Sequence, residues 1–299
     1  MEIVIFGAGS LGSLVGGLLA REHEVTLVGR DDHVTAVRRN RLRVEGALEA
    51  TVAPRATTDG TALAADLAVV TVKSYDTRRA ADTLASGRFD AVLSLQNGMG
   101  SEAILADVLD EPVLAGTASY GAILREPGVV ECTGVGDVVL GDRCGGRSTV
   151  ADRVGEALRS AGLETTVSES MPRRLWEKLA VNAAINPVTA LTATENAAVL
   201  EDPAADLARG AARETARVAR AEGVELSNRE ALAATERVAE ETAANTSSMR
   251  QDVLAERRTE IDAINGYILE RAAERGLEVP TNRTLAALVR AWEQGRNLR

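Results

Sequence analysis

Lys178, Asn182 and Asn186 stand four residues apart in the run Trp176-Glu177-Lys178-Leu179-Ala180-Val181-Asn182-Ala183-Ala184-Ile185-Asn186-Pro187. On a helix, i and i+4 share a face, so one amine and two carboxamides form a polar stripe among Leu, Val, Ala and Ile. Burial disfavours the charged form of lysine and helps it release a proton near neutrality, which is the chemistry of a general acid. The plain alternative is a stripe that satisfies itself inside a core. A buried lysine with two Asn and no acid on its face would be costly in that role. Pro187 is expected to end or kink the helix just after Asn186. Lysine is also scarce: of 34 basic residues only Lys73 and Lys178 are lysine. Arginine keeps its proton at any physiological pH, whereas lysine can give one up. Chance survival of two lysines is the bland alternative.

The other common proton donors are poorly placed. The only histidines, His23 and His33, flank the second strand and are expected at the surface. A Tyr-x-x-x-Lys pair is absent, because Tyr75, Tyr120 and Tyr267 are followed four residues later by Arg79, Leu124 and Arg271. Cys132 and Cys144 form no CxxC or metal-ligand pattern, so no metal is expected and a reduced, cytoplasmic protein is the simpler reading. A disulfide stays open if the two prove close.

Gly7-Ala8-Gly9-Ser10-Leu11-Gly12 follows the first strand and opens a helix. In that setting Gly7 permits a tight turn, Gly9 lets the backbone approach a pyrophosphate, and Gly12 lets the helix pack close to the strand. The helix N-terminus offers unpaired N–H groups to the phosphates. A merely flexible turn is the alternative. The second strand ends in Val28-Gly29-Arg30, where an NAD site usually places an acid on the ribose 2′-hydroxyl. A guanidinium suits a 2′-phosphate, which favours NADPH. Asp31 and Asp32 follow directly, so NADH stays open and Arg30 could equally be solvated. Reducing a carbonyl with a nicotinamide needs a hydride and a proton donor, and Lys178 is the leading donor.

These residues need a scaffold of alternating strands and helices. Ile3–Phe6, Glu24–Val28, Leu67–Val72 and Ala91–Leu95 read as strands, with helices at Leu11–Arg21 and Thr77–Ser86. The alternation implies a parallel sheet covered on both faces. Val113–Ala115, Val129–Cys132 and Val138–Leu140 are expected to extend that sheet, followed by a helix at Val150–Ala161 and an edge strand at Glu164–Val167. After Ser168 the chain turns Ala-, Glu- and Arg-rich, with helical periodicity at Ala204–Glu222, Arg229–Ala243, Ser248–Arg275 and Thr284–Trp292. Pro172, Pro187, Pro203 and Pro280 fall at expected helix boundaries. The expected fold is α/β: a Rossmann-type dinucleotide-binding domain over 1–167, then an all-helical domain over 168–299.

Bulk composition narrows the partners. At 299 residues, two domains are the better expectation. A net charge of −10 disfavours nucleic acid and anionic membrane. No run of about 18 apolar residues occurs, so no membrane span is expected. Glu2–Phe6 enters a strand without a basic flank or cleavage signature, which argues against a secretory signal. The acid-rich, lysine-poor composition suits a high-salt cytoplasm, though a GC-rich genome would also favour arginine.

Taken together, the Gly7–Gly12 turn, Val72-Lys73, Gln96-Asn97-Gly98-Met99-Gly100, the Lys178 helix, Asn245-Thr246-Ser247-Ser248-Met249-Arg250-Gln251-Asp252 and Thr259-Glu260-Ile261-Asp262 resemble the ketopantoate reductase (2-dehydropantoate 2-reductase) family over essentially the whole chain. The resemblance implies a Rossmann domain, a helical domain, and NADPH-dependent reduction of 2-dehydropantoate to (R)-pantoate on the way to coenzyme A. It implies Lys178 as general acid, with Asn182, Asn186, Asn196, Asn245 and Ser248 on the substrate. Lys73, Asn97 and Ala122 would line the cofactor beside Gly7, Ala8, Gly9, Ser10, Leu11 and Gly12, and Arg30 would meet its 2′-phosphate. Glu260 would lie near the cofactor ribose and the catalytic centre. Ser119-Tyr120-Gly121-Ala122 and Ala193-Thr194-Glu195-Asn196 depart from the family pattern. On one straight helix Ser248 and Glu260 would be about 18 Å apart, so Ser248 is assigned to the substrate and Glu260 to the ribose. The plain readings are an N-cap for Ser248 and a solvated acid for Glu260. A paralogous reductase of another 2-keto acid and a non-catalytic dinucleotide sensor are the rivals. The C-terminal helices could pack against a second copy, giving a homodimer.

Overall fold

The computed structural model describes residues 1–299. The chain divides into two compact units, one of residues 1–96 with 101–171 and one of residues 97–100 with 172–299. No helix is long and apolar enough to cross a membrane. Cys132 and Cys144 are unpaired.

The first unit runs β1 (Glu2–Phe6), α1 (Ser10–Leu19), β2 (Glu24–Val28), α2 (Asp31–Asn40), β3 (Leu42–Gly46), β4 (Ala50–Val52), β5 (Arg55–Thr57), β6 (Ala64–Val70), α3 (Thr77–Leu84) and β7 (Arg88–Ser94). It continues with α4 (Ser101–Ala106), β8 (Val113–Ala118), β9 (Gly121–Glu126), β10 (Val129–Gly134), β11 (Val138–Asp142), α5 (Thr149–Ser160) and β12 (Thr165–Val167). The main sheet has the order β12-β11-β8-β7-β6-β1-β2-β5. From β5 to β8 every pairing is parallel. Those six strands, taken in chain order, stand 3-2-1-4-5-6, the doubly wound arrangement whose switch point lies beside the first strand. Alternation explains why both faces are buried. Ile3 and Ile5 enter one apolar cluster with Leu67, Leu93 and α1, while Val4 and Phe6 enter a second with Ala68, Val70 and Leu84.

Three expectations for this unit are corrected. Val129–Cys132 does not extend the main sheet, because β10 belongs to a separate four-stranded sheet, β4-β3-β10-β9. Its pattern fits that place: Val130 and Cys132 are buried, Glu131 is not, and only one face needs covering. The strand expected to reach Val72 ends at Val70. His33 is buried, not on the surface. Its Nδ1 accepts from the Gly128 N–H at 3.0 Å, and its Nε2 lies 3.0 Å from Ser13 Oγ. Burial pushes the His33 pKa below its ordinary value, against the pull of Asp32.

The second unit contains α6 (Met171–Thr192), whose first residue still belongs to the first unit, then α7 (Ala204–Ala221), α8 (Asn228–Glu241), α9 (Ser248–Leu254), α10 (Tyr267–Glu274) and α11 (Pro280–Gln294). Its core is rich in alanine, including Ala180, Ala184, Ala211, Ala212, Ala216 and Ala286. Two helical expectations are corrected here. Pro187 does not end its helix, which continues to Thr192. The single helix expected over Ser248–Arg275 is broken. α9 stops at Leu254, and Glu256 adopts φ +48°. The Glu256 N–H bonds to the Val253 carbonyl and the Arg257 N–H to the Asp252 carbonyl, the paired bonds of a left-handed helix stop. The chain resumes as a π-helix over Asp262–Gly266.

Candidate active site

The Gly7–Gly12 turn leaves β1 at the switch point and opens α1, with Gly9 as the residue before the helix. Gly7 has φ +116°, and a Cβ there would stand 2.6 Å from the Val72 nitrogen. A Cβ at Gly12 would strike the Gly7 carbonyl and Thr71 Oγ1, which donates to that carbonyl at 2.8 Å. A Cβ at Gly9 would meet nothing within 4 Å. Two glycines are thus demanded by packing, while the third faces open space suited to a close-approaching pyrophosphate. Ala8 is buried and Leu11 half-buried. Ser10 Oγ accepts from the Leu124 N–H at 3.1 Å. Ala122 is two residues from Leu124, and both pack against the cluster that includes α1.

Arg30 is the residue before α2, exposed at the end of β2, and pairs with neither Asp31 nor Asp32. Lys73 is half-buried and precedes the 3₁₀ turn Ser74–Asp76. That turn is pinned by Gln96, whose amide donates to the Val72 carbonyl at 3.0 Å and to Thr77 Oγ1 at 2.8 Å.

In the second unit, α6 carries Lys178 and Asn182 half-buried and Asn186 buried, with Leu179, Ala180, Val181, Ala183, Ala184 and Ile185 buried between them. One turn further, Thr189 Oγ1 lies 2.7 Å from Ser247 Oγ, which accepts from the Arg250 N–H. Ser247 therefore caps α9 and ties its start to α6, so the N-cap reading of Ser248 is corrected: Ser248 is the first helical residue and is exposed. Asn245, half-buried, lies just before this cap. Asn196 is buried; its N–H donates to the Asn245 carbonyl at 3.1 Å and its side-chain amide to Thr242 Oγ1 at 2.9 Å. Only Asn196 Oδ1 is left, buried without a partner.

Glu260 is buried rather than solvated. Asn97 Nδ2 donates to Glu260 Oε2 at 3.4 Å, so two residues assigned from sequence to the cofactor side meet. The Met99 N–H donates to the Ala263 carbonyl at 3.0 Å. Gly98 has φ +82°, and a Cβ there would crowd the Ala263 carbonyl and side chain. The break after α9 removes the straight-helix separation assumed for Ser248 and Glu260. Glu293 has no exposed surface and was not singled out from sequence; its type and place in a helical run give no signal. Its Oε1 accepts from the Thr259 N–H at 2.8 Å and Oγ1 at 2.7 Å, while Oε2 accepts from Arg299. Gln96 and Ser247 were visible only as members of their motifs.

Models of the ketopantoate reductase PanE/ApbA family match residues 3–145, and those of its C-terminal part match residues 170–293. A 2-dehydropantoate 2-reductase of Halobacterium salinarum is 44% identical over 299 residues, covering 97% of this chain and 98% of its own. One from Pyrococcus horikoshii is 40% identical over 298 residues, covering 98% of each chain. The crystal structure of a PanE/ApbA family ketopantoate reductase from Ralstonia eutropha is similar with a TM-score of 0.90 at 34% identity, covering 99% of this chain and 100% of that one. D-mandelate dehydrogenase in a ternary structure with NADH and anilino(oxo)acetate is similar with a TM-score of 0.93 at 27% identity, covering 100% of both. The chain belongs to the ketopantoate reductase PanE/ApbA family of oxidoreductases.

Proposed function

We propose that this chain is an NADPH-dependent 2-dehydropantoate 2-reductase that makes (R)-pantoate for pantothenate and coenzyme A synthesis, in the cytoplasm. The observation that carries the reading is the polar stripe of Lys178, Asn182 and Asn186 along the part of α6 in which Leu179, Ala180, Val181, Ala183, Ala184 and Ile185 are buried. Residues 1–167 are the NADP-binding domain and residues 168–299 the substrate and catalytic domain. Gly7, Ala8, Gly9, Ser10, Leu11 and Gly12 receive the pyrophosphate, and the unpaired guanidinium of Arg30 takes the 2′-phosphate. Lys73, Asn97 and Ala122 line the remainder of the cofactor. When bound, a nicotinamide cofactor would supply the hydride for reduction of the keto carbon. Lys178 holds a proton at the keto oxygen and delivers it as the alkoxide develops. Asn182, Asn186, Asn245 and Ser248 orient the carboxylate and terminal hydroxyl, and Asn196 adds its Oδ1 as an acceptor. Glu260, which accepts from Asn97, would lie near the cofactor ribose and the catalytic centre. A homodimer is the proposed assembly.

The likeness to D-mandelate dehydrogenase favours one second reading, reduction of a different 2-keto acid on the same scaffold. NADPH oxidation with ketopantoate against a panel of aryl and alkyl 2-keto acids, repeated with NADH and in high salt, separates the two. The expected result is the highest kcat/KM with ketopantoate and NADPH. Lys178→Ala should lower kcat by roughly 10²- to 10⁴-fold while NADPH binding survives, and Lys178→Arg should fail similarly. Near-normal turnover of Lys178→Ala sinks the assignment of the acid. Binding of NADPH without turnover of any keto acid makes the chain a sensor.

A further inference from the structure

Pro187 lies inside α6, between the turn that carries Asn182 and the end of the helix. A helical proline has no N–H, so the carbonyl four residues earlier loses its partner. That carbonyl belongs to Ala183, a fully buried residue. An unpaired buried carbonyl is costly, and the usual outcome is a kink. In this chain Asn265 Nδ2 donates to the Ala183 carbonyl at 3.2 Å. Asn265 is itself fully buried and reaches α6 from the π-helix Asp262–Gly266. There the Gly266 N–H bonds five residues back to the Ile261 carbonyl, the extra residue characteristic of a π turn.

The amide that performs this substitution is fixed from behind. Asn265 Nδ2 also donates to Asn282 Oδ1 at 3.0 Å. Asn282, again fully buried, donates through its side chain to the Ala211 carbonyl at 3.1 Å and to Glu214 Oε2 at 2.8 Å. Glu214 further accepts the Thr281 and Asn282 N–H groups at the start of α11. A continuous chain of buried hydrogen bonds thus runs from α7 through α11 and the π-helix to α6. It meets α6 at the one backbone group that the proline leaves open.

We infer that Asn265 is a positioning residue that replaces the N–H missing from Pro187 and keeps α6 continuous. Lys178 and Asn182 precede the interruption, and Asn186 stands at it. A kink would swing Asn186 away from the other two. Asn265 also follows Glu260 by five residues, so one short segment sets both the acid and the register of α6. The catalytic part of this inference rests on the function proposed above; the backbone part does not.

Four proteins test it: wild type, Asn265→Ala, Pro187→Ala and the double variant. Each is assayed by hydrogen exchange of the Ile185–Thr192 amides and by steady-state kinetics with ketopantoate and NADPH. Asn265→Ala should speed exchange by about 10- to 100-fold and lower kcat by about 10- to 100-fold, with the KM for NADPH unchanged. Pro187→Ala restores an N–H to the Ala183 carbonyl, so adding Asn265→Ala to it should cost much less in both measurements. Equal losses in the two backgrounds overturn the inference, because a residue needed only for packing would be missed equally in each. If Asn265→Ala alone does not fold, recovery of folded protein in the double variant supports the inference and its absence overturns it. Coupled exchange in a protein that turns over no ketopantoate supports the clamp and refutes the substrate.

Discussion

The buried side chains of β1, β6 and β7 are mainly Val, Leu, Ile and Phe, whereas those of α6, α7 and α11 include many alanines. The first set interlocks by shape and is held in register by the parallel ladder. Alanine lets helices approach closely but offers no rotamer and little relief, so many relative placements would be nearly equal. In the second unit the choice among them falls to buried polar groups: Glu214 and Asn282, Asn265 on α6, and Glu293 under Thr259. Such networks specify geometry through their satisfied donors and acceptors, and of the groups named here Asn265 uses its Nδ2 while its Oδ1 is buried without a partner. The first unit is ordered mainly by packing, and the second leans more on buried hydrogen bonds.

Conservative substitutions should therefore be tolerated unequally. Glu293→Gln keeps the volume but removes the charge that accepts from the Thr259 N–H and Oγ1, and a hydrogen bond to a charged group is worth about 1.5–3 kcal/mol. Leu93→Met, equally buried in the main sheet, should cost less than about 1.5 kcal/mol. Urea denaturation of both variants measures the contrast, and equal losses would break it. Glu293→Gln should also depress kcat through the Thr259–Glu260 turn, whereas Leu93→Met should leave it alone.

A smaller effect belongs to Arg30, which is exposed and contributes to neither core. Arg30→Ala should raise the KM for NADPH about tenfold, close to the worth of one charge-assisted contact, and leave the KM for NADH nearly unchanged. Equal changes for both cofactors would remove the 2′-phosphate assignment. Smallest is a pH effect at His33, the one histidine that ties α2 to the β9–β10 turn. Its folded pKa lies below its unfolded value. Under acid the unfolded chain takes up a proton that the folded chain refuses, so stability is complete above about pH 6.5 and declines as pH falls below it. Melting temperatures at pH 7.5 and 5.5 should differ less in His33→Asn than in the parent, and identical differences would sink the claim.

Much of the first unit was legible because its signals are local: a glycine turn after a strand, then alternation of period two. Val129–Cys132 misled because a short apolar strand does not say which sheet it joins. In the second unit the Lys178 stripe was legible from spacing alone. The end of α9 was not, since Glu256 takes a left-handed position where glycine is the usual marker. Pro187 read as a boundary because the partner that relieves it, Asn265, lies far along the chain. Glu260 and Asn97 are 163 residues apart, and only a family resemblance could associate them.

Asn97–Gly100 groups with residues 172–299 although the chain on either side groups with the first unit. During synthesis this segment leaves the ribosome long before its partners. At ordinary elongation rates, Ala263 follows Gly100 by on the order of ten seconds or more. The first sheet can close in that interval, but Asn97 has no Glu260 to meet and Gly98 no Ala263 to rest against. A nascent chain arrested shortly after residue 171 should therefore be cut by protease at 97–100, and one released in full should resist.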